Sequence, residues 1–560
     1  MPLTTLKSMC AVVGMAVVGM IAVMSDLGHC HAQMLDFELR YQQPTAPESD
    51  RYHQLTRNER WDATETAVIV CDMWDSHHCV NAVRRVTELA PRINQFCDAL
   101  RDQGVTIIHA PSSCMKAYEN HPARARAQAI PLAGFLPDQI ESWCDQIPSE
   151  EVAAYPVDQS EGGEDDDLEE HRRWAERLQA IGLNPRAPWQ RQVEVIDIDE
   201  KSDFISDSGP EIWSIMTARQ IKNVILVGVH TNMCVLGRPF GLRRLASAGK
   251  NVVLARDLTD TMYDYRAWPY ASHFTGTDLI IGHIERYVCP TVTSDQILGG
   301  QAFRFSHDDR KRLLMLIAED EYQTEKTLPT FAAKHLSSHF SVQVAWGSDN
   351  ERDEIVGVKN VEQADALLVS VRRRALPEKD LAIIQSFVKQ GKPVIGIRTA
   401  SHAFSLRGKQ PPEGNAVWDS FDADVFGGNY TNHFGNDLKA TLQLPATAPE
   451  HAILSATNAT GIHPGGSLYK TAPLAAGTQV LIEGNVPGEQ PQPVAWTFVR
   501  NDGGRSFYTS LGHPDDFNQP EFEALLAAGI HWACDLQPHS LDEIKNQNNR
   551  YDAGGGKQRK

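Results

Sequence analysis

The chain has 560 residues, more than one hydrophobic core ordinarily supports, so its length predicts two domains. It is 42% hydrophobic and 22% charged, with a formal net charge of -19, the balance of a globular protein whose surface repels polyanions. That charge excludes nucleic acid and anionic lipid as natural partners and favours a small-molecule substrate.

In chain order, Lys7 precedes an apolar run from Met9 to Met24, and Cys30-His31-Ala32 follows with small residues near a cut after Ala32. This is the pattern of a signal peptide over residues 1–32. The run is short for a membrane span, so export to a periplasm or beyond is expected, with no integral membrane domain after cleavage; an uncleaved N-terminal tether is the alternative. Ten cysteines occur. Cys10 and Cys30 leave with the peptide, and the rest lack CxxC pairs and read as core residues, with some pairing left open.

A polar lead-in over residues 33–64 precedes alternating strand and helix patterns, which predict an α/β domain over 55–300 with a mainly parallel sheet between helical layers. Its strands are expected at 67–71, 105–108, 193–196, 224–228 and 252–255, with a helix over 81–103 stopped by Gly104. Between the second and third lies a long insertion of the kind that forms a lid or a disordered loop, and its acidic run, 161–167, reads as a solvated loop in preference to a metal-binding one. A seam near 299–309 opens a second three-layer α/β/α domain over 310–536, with strands at 311–317, 366–369, 393–396 and 507–511 and a helix running through Trp532. Residues 537–560 are polar and Asn- and Gly-rich, the composition of a frayed tail.

Three residues of the first domain stand at strand ends, where open parallel sheets bind ligands. Asp72 closes the first strand, although alone it reads as a cap or turn residue. Cys234 follows the fourth strand through the turn 229–233 and heads a helical pattern, where the macrodipole lowers a thiol pKa and backbone N–H groups can hold an oxyanion. Lys201 could stabilise the thiolate and position Asp72, or could be a surface lysine paired with Glu200 or Asp203. Trp74, His77, His78 and Thr231 lie beside these residues in sequence and are candidates for the substrate pocket. Asp75-Ser76-His77-His78 could also hold a cation. Pro239 predicts a kink after Cys234.

Over about 64–298 the chain resembles the isochorismatase-like cysteine hydrolases. The resemblance is carried by Val68-Ile69-Val70-Cys71-Asp72-Met73-Trp74, Glu200-Lys201-Ser202-Asp203-Phe204 and Gly228-Val229-His230-Thr231-Asn232-Met233-Cys234-Val235. It implies a hydrolase of non-peptide C–N bonds working through an acyl-enzyme, with Cys234 as nucleophile, Asp72 as proton acceptor and relay, and Lys201 as their electrostatic partner. It further implies a cis peptide between Val229 and His230, with the N–H groups of His230 and Cys234 as the oxyanion hole. Nicotinamidase-type members carry an Asp-x-His metal motif where this chain reads His109-Ala110-Pro111-Ser112-Ser113-Cys114, so neither metal nor cofactor is expected.

Over 311–535 the chain is similar to trehalose-utilisation (ThuA-like) domains of the class I glutamine amidotransferase-like fold. The motifs are Pro393-Val394-Ile395-Gly396-Ile397-Arg398-Thr399-Ala400-Ser401-His402, Val425-Phe426-Gly427-Gly428-Asn429-Tyr430-Thr431-Asn432-His433 and Leu511-Gly512-His513-Pro514-Asp515. Arg398 stands where glutaminases keep their cysteine, while His513 and Asp515 parallel the His-x-Glu partners, so glutamine hydrolysis is not expected. Arg398, His402, His433, His513 and Asp515 are candidates for a pocket that takes a small sugar, or are scattered structural residues. The whole reads as an amidase-like hydrolase with a second, ligand-binding domain; the alternative is a non-catalytic accessory protein of carbohydrate uptake. Homo-oligomerisation stays open.

Overall fold

The computed structural model describes residues 33–446 and 450–558, and the expected signal peptide lies outside the described residues. Two separate sheets divide the chain. The first contains β1 (Met34–Pro44), β2 (Tyr52–Asp62), β3 (Thr66–Cys71), β4 (Thr106–Ala110), β5 (Phe204–Ile205), β6 (Asn223–Val229), β7 (Asn251–Asp260) and β8 (Thr291–Val292). Their spatial order is β2-β1-β8-β7-β6-β3-β4-β5. All pairings from β8 across to β5 are parallel.

β3 shows why the sheet is covered on both faces. Val68 and Val70 pack into one apolar cluster with the helix Val80–Asp102, while Ala67, Ile69 and Cys71 pack into another on the opposite side. A strand buried on both sides reads as a continuous apolar run, which is why TAVIVC carries no polar alternation.

Two stretches depart from the sequence reading. The polar lead-in is an antiparallel hairpin, β1 against β2, in which Leu35, Phe37 and Leu39 are buried on alternate positions and form the period-2 stripe of a half-buried strand. The run 193–196 is a turn, and the strand beside β4 is the two-residue β5.

The second sheet has nine strands in the spatial order Ile355–Val356, Phe340–Gly347, Lys311–Ala318, Ala366–Val371, Val394–Ile397, Arg505–Thr509, Gln492–Val499, Thr478–Asn485 and Thr441–Gln443. The five strands from Phe340–Gly347 to Arg505–Thr509 are parallel neighbours. Both domains are therefore α/β.

The C-terminal segment is not a frayed tail but a helix, Leu541–Gln558. Its anchors recur at helical spacing. Ile544 is fully buried, Gln547 Oε1 lies 2.9 Å from His335 Nδ1, and Asn548 Nδ2 donates to Glu523 Oε2 at 2.6 Å. Further along, the Arg550 guanidinium covers the Tyr270 ring of the first domain at 4.2 Å. Among the described residues no helix is long and apolar enough to cross a membrane, and the eight described cysteines are all buried and free.

Candidate functional site

β3 and β6 are neighbours, but the chain leaves them in opposite directions, from β3 outward to β4 and from β6 outward to β7. Such a switch point opens a crevice at the carboxyl ends of the two strands. Asp72 follows β3 directly, with its backbone in the left-handed region at φ 46, and Cys234 lies in the turn after β6. Gly228 lets the strand ends approach. It has φ +105, and a Cβ there would sit 2.1 Å from the carbonyl oxygen of Cys71.

The Asp72 carboxylate is fully buried. The Ser112 N–H reaches Oδ1 at 2.7 Å and Arg238 Nε reaches Oδ2 at 3.0 Å, and the carboxylate is electrostatically coupled to the neighbouring Cys234 thiol. Arg238 is thus the cationic member of the constellation. It sits one helical turn beyond Cys234, with its N–H bonded to the Cys234 carbonyl at 3.0 Å. The helix then stops, and a new one begins at Leu242. Pro239 explains the stop, because it has no N–H to donate and disfavours helical geometry at the residue before it. The break leaves Arg238 free to fold back onto Asp72.

Lys201 does not join them. It lies exposed in the turn before β5, while Asp203, its suggested partner, is buried and bonded to Arg101 Nη2 at 2.8 Å and His109 Nε2 at 3.0 Å. The other ring nitrogen of His109 contacts Gln192 Oε1 at 3.0 Å, so both imidazole nitrogens are engaged.

The electrostatics also depart from a helix-activated thiolate. Cys234 is 7% exposed and is the fourth residue of a five-residue π-turn, Thr231–Val235, not the head of a long helix. Burial and the Asp72 carboxylate push its thiol well above the usual cysteine range, with Arg238 opposing them. Burial likewise raises Asp72 against the pull of Arg238. Both shifts run toward the uncharged form, so the resting thiol is neutral.

The Val229–His230 peptide is cis. Trp74 stacks on Trp189 of the insertion at 4.4 Å and 9° between planes. His77 lies 4.9 Å from the His230 ring. Burial holds His77 well below its usual pKa and brings His230 down to about 4, so this wall is uncharged at neutral pH. Thr231 is tied into the sheet by a 2.7 Å bond to Thr259 Oγ1, and His78 turns to Glu164 Oε1 at 2.9 Å.

That contact belongs to a larger correction, because the middle of the acidic run is packed: Gly163, Asp165 and Asp166 are buried, while Glu161 and Asp167 stay exposed. Asp165 receives Arg85 Nη1 at 2.8 Å, Asp166 caps the helix Val80–Asp102 through the Val80 N–H at 2.9 Å, and Arg85 Nε continues to Asp260 Oδ2 at 2.7 Å. The run is held against the domain by Arg85 and by the N-terminus of the helix Val80–Asp102.

In the second domain Arg398 follows the strand Val394–Ile397 with φ 43, the left-handed elbow expected at a nucleophile position but holding an arginine. Its guanidinium lies 4.1 Å from the Tyr322 ring and 4.8 Å from the Tyr469 ring, and Nη1 donates to the Ser510 carbonyl at 2.8 Å. His402 stacks on Tyr430 at 4.5 Å, and Tyr430 meets Tyr469 at 4.6 Å. His433 is 6.5 Å from Tyr469 and His513 is 6.1 Å from Tyr322. Burial, then the charges of Arg373, Arg372, Arg407 and Arg398, bring His402 down to about 2. Asp515 is at the exposed rim, 3.4 Å from His513 Nδ1. Three tyrosines therefore join the candidate residues into one aromatic and cationic cluster. Tyr430 stands inside a quoted motif, but nothing in the local sequence marks Tyr322 or Tyr469.

The family model described as ThuA, trehalose utilisation, matches residues 312–533, so the C-terminal half carries a ThuA-like domain. Among solved structures, a ThuA-like protein from Bacteroides uniformis ATCC 8492 is 14% identical, with 42% of this chain and 95% of that chain covered and a TM-score of 0.32. Another from Parabacteroides merdae ATCC 43184 is 14% identical, with 40% and 90% covered and a TM-score of 0.28. No curated protein sequence matches the chain.

Proposed function

We propose that the first domain is an isochorismatase-like cysteine hydrolase of small amide-type C–N substrates, working through Asp72, Cys234 and Arg238. The observation that carries this reading is the convergence of Cys234 and the buried, arginine-paired Asp72 on one sheet switch point. A carboxylate whose pKa is raised by burial is a better proton acceptor than an exposed one, and Asp72 is electrostatically coupled to the thiol whose proton it would take.

As Cys234 Sγ attacks the substrate carbonyl carbon, its proton passes to Asp72 and the carbonyl π electrons move to oxygen. The N–H groups of His230 and Cys234 would receive that oxyanion. Collapse of the tetrahedral adduct breaks the C–N bond, the departing amine takes the proton from Asp72, and an acyl thioester remains. Water then attacks the thioester, losing a proton to Asp72 as it does so. The acid is released and the proton returns to the sulfur. Arg238 keeps Asp72 oriented and balances the negative charge it shares with sulfur.

Uncharged His77, His230, Trp74 and Trp189 suit a planar, weakly polar acyl group. Among the described residues, His230 Nε2 is buried without a hydrogen-bond partner, and a polar substrate group would satisfy it.

The test is an amide panel with mass detection of a covalent acyl adduct. Turnover and adduct are expected in the native protein, both absent in Cys234→Ala; a Cys234→Ala variant that turns over an amide normally overturns the proposal. A second reading, non-catalytic carbohydrate binding, is favoured by the Arg398, Tyr322 and Tyr469 cluster. It predicts sugar-induced stabilisation that disappears in Arg398→Ala while Cys234→Ala leaves it intact.

A further inference from the structure

We infer that His339, His531 and His539 form a trihistidine site for a divalent transition metal such as zinc, and that the ion fastens the C-terminal helix to the second domain. The three side chains each offer a ligand atom, and those atoms all lie within 4.8 Å of one another. They come from three places: His339 from the turn before the strand Phe340–Gly347, His531 from the helix Pro520–Ala533, and His539 from the segment leading into Leu541–Gln558.

The ring geometry suits coordination. Ring centroids are 5.3 Å apart for His339 and His531, 5.0 Å for His339 and His539, and 4.8 Å for His531 and His539. Three imidazoles bound to one tetrahedral ion at about 2.0–2.1 Å would place their centroids roughly 5 Å apart. All three pairs are close to that spacing.

The outer contacts orient the ligands. His531 Nδ1 lies 2.7 Å from the Ala527 carbonyl oxygen, an acceptor only, so Nδ1 carries the proton and Nε2 presents its lone pair. That Nε2 is 3.2 Å from His339 Nδ1, near the separation of two nitrogens on one ion. Gln547 Nε2 lies 3.3 Å from His539 Nδ1 as a donor, so the Gln547 amide must turn or give way when His539 binds an ion. Phe340 closes one side of His531 edge-on at 5.4 Å. Three imidazoles without a carboxylate select a borderline transition ion over magnesium or calcium, and they leave a fourth position for water.

His539 lies beyond residue 533, where the ThuA match ends, so the third ligand belongs to the added C-terminal segment. That segment reaches the first domain, where Arg550 Nη2 donates to the Arg266 carbonyl at 3.1 Å. An ion bound by His339, His531 and His539 would therefore hold in place the helix that bridges the two halves.

The experiment uses the untagged full chain, stripped with a chelator and titrated with Co2+ and then Zn2+. One equivalent of Co2+ is expected to give visible absorption of tetrahedral intensity, which Zn2+ displaces. His339→Gln and His539→Gln, on exposed or half-buried positions, should each weaken binding by more than about 100-fold. Zinc should also slow proteolysis within 541–558 in the native protein but not in His539→Gln. Absence of stoichiometric Co2+ binding overturns the site and leaves a hydrogen-bonded imidazole cluster. Equal binding by both variants places the ion elsewhere and overturns it too. Zinc binding with unchanged proteolysis overturns the fastening role.

Discussion

Replacing Arg238 by glutamine separates the constellation seen in the structure from the one in which Lys201 is the cation. Arg238 holds Asp72 at 3.0 Å, and Asp72 has no exposed surface, so the substitution strands a buried carboxylate. Breaking a buried pair from one side costs roughly 3 kcal/mol or more. At about 2–4 °C per kcal/mol, the melting temperature of the first domain should fall by about 6–12 °C. In an Asp72→Asn background the same change should cost much less, because the charge it neutralises is gone; this non-additivity is the direct measure of the pair. The thiol responds as well. Two unit charges about 4 Å apart attract by about 4 kcal/mol at an effective dielectric near 20. The 23% exposure of the Arg238 side chain discounts this to about 2 kcal/mol of thiolate stabilisation. Alkylation of Cys234, followed by peptide mass spectrometry, should therefore slow about 30-fold in Arg238→Gln and stay unchanged in Lys201→Ala. Because Arg238 lowers the Asp72 pKa, the acid limb of turnover should also move to higher pH in Arg238→Gln. Slower alkylation in Lys201→Ala, or additive stability losses in the Arg238 and Asp72 pair, would refute the assignment.

Gly163→Ala tests whether the acidic run supports the nucleophile: Gly163 has φ +87, and its Cβ would meet the Met262 carbonyl oxygen at 2.6 Å, the same oxygen that accepts from Asn232 Nδ2 at 2.7 Å. A loss of about 1–3 kcal/mol by denaturant titration, with slower Cys234 alkylation, is expected. The Asp203 carboxyl is held down at about 2 in the folded protein, below its ordinary 3.8; burial opposes the lowering, and bonds from His109 and Arg101 overcome it. Its stabilisation of about 2 kcal/mol is present above the unfolded pKa and lost as pH falls toward 2, so urea titrations of Asp203→Asn should show the deficit at pH 7 and its shrinkage below about pH 4. Arg398→Ala removes a guanidinium lying against two tyrosine rings and should destabilise the second domain by about 2–4 kcal/mol, read as a lower second transition in calorimetry.

The α/β class was legible because β3, β6 and the strand Lys311–Ala318 are near-continuous apolar runs closed by chemistry-bearing residues. The hairpin β1–β2 was missed because its stripe of Leu35, Phe37 and Leu39 lies among charged neighbours, so average polarity hid the alternation. The short β5 escaped for the opposite reason. Val193 and Ile196 supply an apolar patch that is used in a turn against the first domain's core, while the true partner of β4 is only two residues long.

The juxtaposition of Asp72 and Cys234 could be read because one ends a strand and the other lies in the turn after a neighbouring strand, and strand ends of a parallel sheet meet at predictable places. The cation could not be found by the same rule, since Lys201 also lies near a strand end yet points to solvent. The sequence does contain a signal for Arg238. It stands four residues after Cys234, on the same helical face, and immediately before a proline that must stop the helix there. Helical phase therefore nominates the cation that strand position misassigns. The same difference in range explains the acidic run. Seven residues without an apolar anchor read as solvated, because their partners, Arg85 and the open N-terminus at Val80, lie some eighty positions earlier in the chain. Charge neutralisation at that separation is a property of the fold and not of the local composition.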